Sequence, residues 1–175
     1  MNTINEIAKN TGIALTVSGL KMIRSGYQYN PTQVGFGVFK DAFNKEGLYN
    51  VETKEQDIYY HISTWKTYSD CLDTAYKIVK KFPWEKEFFD CDNRSAMMSV
   101  LLSIFGLALG RAYVEVFNKD TGTQKYLHWC NVAVDTGGDL HLFDADNGGQ
   151  SVKVERGKEL LIGNNRYKII QAIFN

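Results

Sequence analysis

The hydrophobic period of this chain changes once, at Gly110, and that change constrains the fold more than any other feature. Ahead of it, Trp65, Tyr68, Leu72, Ala75, Ile78 and Val79 recur at three and four residues. This is the stripe of an amphipathic helix, and Pro83 marks its limit. A second run, opened by Asp90, places Ala96, Met97, Val100, Leu101, Ile104 and Ala108 on one predicted helical face. Ser99 and Ser103 fall on another face, and Gly106 and Gly110 end the run. Beyond Gly110 the period is two. RAYVEVFN, YLHWCNVAVD and LHLFDAD read as strands joined by DTGTQ and TGGD, with SVKVE and YKIIQAIFN following. That order predicts an α+β domain, a central helix packed on an antiparallel sheet, and excludes the strand–helix alternation of a doubly wound sheet.

A length of 175 residues suits a single domain, 1–175. Residues 1–83 read as its mainly helical and loop part, and 84–175 as the central helix plus the sheet. Within the first part, Gly12, Gly19 and Gly26 interrupt short helical stretches, while VGFGVFKDAF fits strand and helix equally. Twenty basic and twenty acidic residues cancel, so no basic excess points to nucleic acid. No apolar run is long enough for a membrane span, and no basic stretch precedes an apolar one at the N-terminus. Three cysteines without zinc-type spacing fit a reducing interior, giving a cytoplasmic expectation with a virion-associated alternative.

One of those cysteines asks for a chemical reason. In FFDCDNRSAMMSVLLSIFG, Cys91 stands between Asp90 and Asp92 at the start of the second predicted helix. A helix N-terminus stabilises a thiolate, whereas the two carboxylates oppose it, so a reactive Cys91 needs a cation nearby. Three histidines are available: His61, His128 and His141. Strand alternation puts His128 on one face with Cys130 and Val132, and the TGGD turn brings Asp144 roughly opposite. Cys91, His128 and Asp144 then have the residue types of a nucleophile, a base and the group that orients the base.

Plainer readings stand beside this one. Cys91 and His128 could be satisfied core residues, as Cys71 and Cys130 are expected to be. Asp146 competes with Asp144 for the third position, or serves the turn in DADNGG. Cys130 beside His128 suggests a metal set with Cys91 and Asp144, at spacings that match no zinc pattern. No cofactor is expected; Asp92, Asp144 and Asp146 offer oxygen ligands for calcium, but DADNGG is too short for an EF-hand loop and lacks its bidentate glutamate. The aromatics in IYYHISTW and SGYQYNP could line a groove, or could pack Tyr59, Tyr60, Trp65 and Tyr68 against the sheet.

PWEKEFFDCDN, LHWCNVAV and GDLHLFDADN together resemble the transglutaminase-like cysteine peptidases of the papain-like superfamily. The same DCDN…H…D order occurs in uncharacterised bacteriophage proteins and in the protease domain of a fungal agglutinin. The resemblance covers roughly the C-terminal half and implies a papain-like fold. It further implies a cysteine-dependent hydrolase, a peptidase or amidase, working through an acyl-enzyme. Cys91 would be the nucleophile, His128 the base and Asp144 the third member. The implied partners are peptide, protein or peptidoglycan-like amide substrates. Arg94 departs from the aromatic that relatives often carry there, and no glutamine or asparagine precedes Cys91 as an oxyanion donor. The alternative is the same fold without turnover, serving as a binding or phage structural module.

Overall fold

The structure, a computed structural model, describes residues 31–55, 59–85 and 90–174. The expected short helices before residue 30, most of SGYQYNP and part of the PWEKEFFDCDN lead-in lie outside the described residues. In chain order the elements are β1 (Thr32–Gly35), α1 (Gly37–Lys45), β2 (Glu52–Glu55), β3 (Tyr59–Ile62) and α2 (Trp65–Val79). Then come α3 (Cys91–Ile104), β4 (Gly110–Asn118), β5 (Gln124–Val134), β6 (Leu140–Asp144), β7 (Gln150–Lys153), β8 (Leu160–Ile162) and β9 (Asn165–Phe174). The ambiguous VGFGVFKDAF therefore splits, its first residues ending β1 and the rest forming α1. The stretch before residue 83 contributes strands as well as helices.

Strands β4 to β7 form the antiparallel meander that their alternation predicts, and β9 returns to lie beside β4. The main sheet runs β2-β9-β4-β5-β6-β7, with β8 also on β9; β2 pairs with β9 in parallel and the remaining pairs are antiparallel. On β9 the register slips one residue opposite Tyr113 and Val114. The buried set accordingly changes from Tyr167 and Ile169 to Ala172 and Phe174, as a bulge requires. Gly110 opens β4 where a side chain has no room: a Cβ there would sit 2.7 Å from the Phe174 ring and 2.9 Å from the Ile173 carbonyl oxygen. Phe174 ends β9 inside a cluster of Phe36, Phe39, Phe43 and Tyr60, which ties α1 and the β1–β3 ribbon to the sheet.

Helix α2 follows its sequence pattern. Thr64 caps it, accepting from the Thr67 amide at 3.3 Å, and Tyr68, Cys71, Leu72, Ala75 and Val79 are buried. Helix α3 does not. Its buried residues are Ser95, Met98, Ser99, Leu101 and Leu102, while Val100 lies exposed, and the helix closes at Ile104 before Ala108. The predicted apolar face is rotated because the serines carry their own partners. Ser95 Oγ donates to the Asp92 carbonyl and Ser99 Oγ to the Ser95 carbonyl. Buried Asn131 of β5 then donates from Nδ2 to the Ser95 carbonyl at 2.8 Å and to Ser99 Oγ at 3.1 Å. Small hydroxyls satisfied in this way let the helix lie close to β5, with Asn131 Oδ1 the one atom of this contact buried without a partner. Among the described residues, no helix is long and apolar enough to cross a membrane.

Candidate functional site

Cys91 is the first residue of α3, following Asp90, whose extended backbone occupies the N-cap position without a side-chain capping bond. The thiol is half-buried. It looks into a cleft of about 600 Å³, walled by Trp84, Tyr126 and Leu127 and studded with Asp90, Arg94, His128 and Asp146. His128 enters from β5. Continuing the β5–β6 register from Asn131 and Phe143 puts Cys130 opposite Asp144, so His128 and Asp144 are diagonal neighbours.

That diagonal pair is closely held. His128 Nε2 donates to Asp144 Oδ1 at 3.0 Å, and Tyr167 Oη donates to Asp144 Oδ2 at 2.6 Å. Two backbone amides, of Asp146 at 2.8 Å and Asn147 at 3.2 Å, also point at Asp144 Oδ1. The turn after β6 thus folds back onto the carboxylate that ends β6. Burial alone would raise the Asp144 pKa; the hydrogen bond and charge of His128, then Tyr167, outweigh it and hold the carboxyl below its ordinary range. Burial would likewise lower the His128 pKa. The hydrogen bonds to Asp144, Cys130 and Cys91 together outweigh it and hold the imidazole proton well above the ordinary histidine range. An anionic Asp144 can only accept, so the proton sits on Nε2 and Nδ1 is the ring nitrogen left for other partners.

Cys91 Sγ, a His128 ring nitrogen and an Asp146 carboxylate oxygen lie within 4.8 Å of one another. The three expected site residues thus meet around His128: Asp144 on one side, Cys91 on the other. Asp146, the competitor for the third position, faces Arg94 instead; Arg94 Nη1 donates to Asp146 Oδ1 at 2.7 Å. Arg94 Nη2 also donates to the Phe82 carbonyl at 3.0 Å, tying the segment that carries Trp84 to the start of α3. Burial raises the Asp146 pKa, and Arg94 opposes that rise.

The remaining candidates separate cleanly. Cys71 and Cys130 are buried, and burial pushes each thiol up to about 12. His61 is exposed on β3, paired in register with Gln33. His141 is buried against Trp65, the rings stacked 3.7 Å apart and 1° from parallel, with Nε2 3.3 Å from Asp135 Oδ2. Asp92 lies exposed beside Asp90, which raises its pKa through a side-chain hydrogen bond, and Asp144 is turned to His128 and Tyr167. The carboxylates of Asp92, Asp144 and Asp146 therefore each face different side chains. Tyr167 and Asn131 are contributors that sequence reasoning missed, while Arg94, which stood out only as a departure from the aromatic expected there, is the partner of Asp146.

The fold and site define an α+β domain with a thiol-containing cleft where a helix tip meets a largely antiparallel sheet. No protein-family model matches the chain, and no curated protein sequence matches it. Solved structures share the fold. One is described as a PSL1a-E64 complex, with TM-score 0.57 and 16% identity over 81% of this chain and 51% of that chain. Another is Polyporus squamosus lectin bound to the human-type influenza-binding epitope Neu5Aca2-6Galb1-4GlcNAc, with TM-score 0.55 and 17% identity over 81% of this chain and 49% of that one. The chain spans about half the length of these two chains.

These neighbours correct the resemblance to transglutaminase-like, papain-like cysteine peptidases and the hydrolase, thiol-protease and bacteriophage classes it carried. Among the structures sharing the fold is a lectin bound to a sialylated glycan. The quoted segments are a helix start and two strand ends. Such short pieces record local packing and polarity, which unrelated functions on similar scaffolds share.

Proposed function

We propose that this domain is a binding module whose cleft at the tip of α3 takes an oligosaccharide. One observation carries the reading: Trp84, Tyr126 and Leu127 are 55%, 47% and 49% exposed and share a single cleft with charged side chains. A sugar ring has an apolar C–H face and a rim of hydroxyls. The indole and phenol faces suit the first, and Arg94, Asp90 and Asp146 suit the second. The cleft volume lies in the range of small-ligand sites. A lectin of similar fold bound to a sialylated trisaccharide supports the same class of ligand, in place of the peptide or amide partners expected from sequence. Calorimetric titration with sialylated and neutral lactosamine oligosaccharides tests this. Saturable binding is expected, weakened about tenfold or more by Trp84→Ala, since one buried aromatic face contributes on the order of 1.5 kcal/mol or more. Absence of heat, and of any shift of the Trp84 indole proton resonance, would sink it.

A second reading is favoured by the buried His128–Asp144 pair. Burying two charges costs several kcal/mol per ion before their attraction is counted. A cleft that only binds sugars gains nothing obvious from that pair. In this reading Cys91 is a nucleophile, His128 takes its proton and Asp144 orients the ring; the thiolate adds to a carbonyl carbon of a bound ligand, the C=O π pair moves to the oxygen, and that oxygen takes the proton back from His128. Iodoacetamide treatment of the native protein near neutral pH, followed by peptide mass spectrometry, distinguishes it. Alkylation concentrated on Cys91 and slowed by His128→Ala is expected; equal labelling of all three thiols, or of none, rejects it.

A further inference from the structure

We infer that Cys91, His128 and Asp146 form a site for a divalent cation of the zinc class, with an open coordination position facing the cleft. The inference stands apart from the oligosaccharide reading. Three separate segments deliver the ligands: the first turn of α3, strand β5 and the turn after β6. Their ligand atoms are within 4.8 Å of one another. Tetrahedral zinc with bonds of about 2.0–2.3 Å needs its donors about 3.5 Å apart, so closure of roughly 1 Å completes the set.

The surroundings of His128 strengthen the case. A metal-binding imidazole ordinarily donates its other N–H to a carboxylate, which fixes the tautomer and raises the basicity of the ligating nitrogen. Asp144 fills that role here, accepting from Nε2 at 3.0 Å and leaving Nδ1 for the metal. Asp144 is itself held by Tyr167 and two backbone amides. Asp146 spends Oδ1 on Arg94, which leaves Oδ2 to ligate. Thiolate, imidazole and one carboxylate are a mixed set that favours zinc or cobalt over calcium or magnesium. Charge also closes: the Cys91 thiolate, Asp144 and Asp146 balance the dication and Arg94.

The alternative cluster of His128, Cys130 and Asp144 has similar spacing. It does not qualify, because Cys130 is 1% exposed and both Asp144 oxygens are already engaged. Binding at the proposed site exchanges two protons for the metal, Cys91–SH and the Nδ1–H of the charged His128 each giving up a proton to buffer as the Cys91–S–M and Nδ1–M bonds form, with Nε2–H kept on Asp144. The metal therefore competes with any chemistry at that sulfur.

Titration of the intact protein with Co²⁺ tests the site. A near-ultraviolet thiolate-to-cobalt charge-transfer band and visible d–d bands are expected at one equivalent, and Zn²⁺ should displace them. Cys91→Ser should abolish the charge-transfer band, and Asp146→Asn should weaken binding about 10–100-fold. Should Cys91→Ser not fold by circular dichroism, Cys91→Ala replaces it. Zinc should also protect Cys91 from iodoacetamide. No band at millimolar cobalt, a band that survives loss of Cys91, or one lost only with Cys130→Ser overturns the inference.

Discussion

At the scale of single residues, Tyr167 shows how a group remote in sequence governs the site. Its hydroxyl gives Asp144 a 2.6 Å bond on the oxygen that His128 does not use, and Asn147 Nδ2 in turn donates to the Tyr167 oxygen at 3.3 Å. Tyr167→Phe removes a donor to a buried carboxylate, a bond worth about 1.5–3 kcal/mol. A loss of that size in urea unfolding is expected. A change below about 0.5 kcal/mol would mean that Asp144 is fixed by its backbone donors alone. Neither Tyr167 nor Arg94 could be read from the local sequence, because both act across elements whose pairing the chain order does not reveal. Cys91 and His128 could be, since Cys91 stands at a helix start between two aspartates and His128 shares a strand face with Cys130 and Val132; the strand expected to open at His128 in fact begins at Gln124.

Among the elements, α3 is where periodicity and packing part ways. Counting apolar residues selects a face containing Val100. The sheet instead receives the side bearing Ser95 and Ser99, because Asn131 offers that side hydrogen bonds as well as contact. The consequence is measurable by paired substitutions. Met98→Ala should cost about 2–5 kcal/mol, as core truncations do, whereas Val100→Glu should change stability by no more than about 0.5 kcal/mol. The reverse ranking in chemical denaturation would restore the face that the period alone selects. Helix α2 has no such rival signal. Its core stripe is apolar throughout, so its buried face was legible directly.

For the molecule as a whole, the paired charges link the site to pH. The Asp144 pKa is depressed, so its stabilisation is present above the ordinary carboxylate value near 3.8 and is lost as pH falls through the lower folded value. His128 is raised, so its stabilisation is complete below the unfolded value of about 6.5 and declines as pH rises toward the folded one. The pair therefore contributes fully between about pH 4 and pH 6.5 and less on both sides. Denaturant midpoints measured from pH 3 to pH 9 should trace that plateau, and Asp144→Asn should flatten it. A wild-type profile that climbs steadily from pH 6 to pH 9 contradicts the assignment of charge to His128.

What the sequence determined by itself is the local physics: where the period is near four, where it is two, and where a thiol meets a helix tip. Those depend on neighbours a few residues apart, and α2, β4, β5, β6 and the position of Cys91 follow from them. The tertiary structure alone decided that β9 lies beside β4, that α3 turns its serines inward, and that Asp144 rather than Asp146 takes the His128 hydrogen bond. Each of these rests on contacts between residues far apart in the chain, chosen by the bulge in β9 and the donors of Asn131, Arg94 and Tyr167. Local residue order does not encode such choices, which is why short motifs suggested a peptidase while the assembled fold is shared with a lectin.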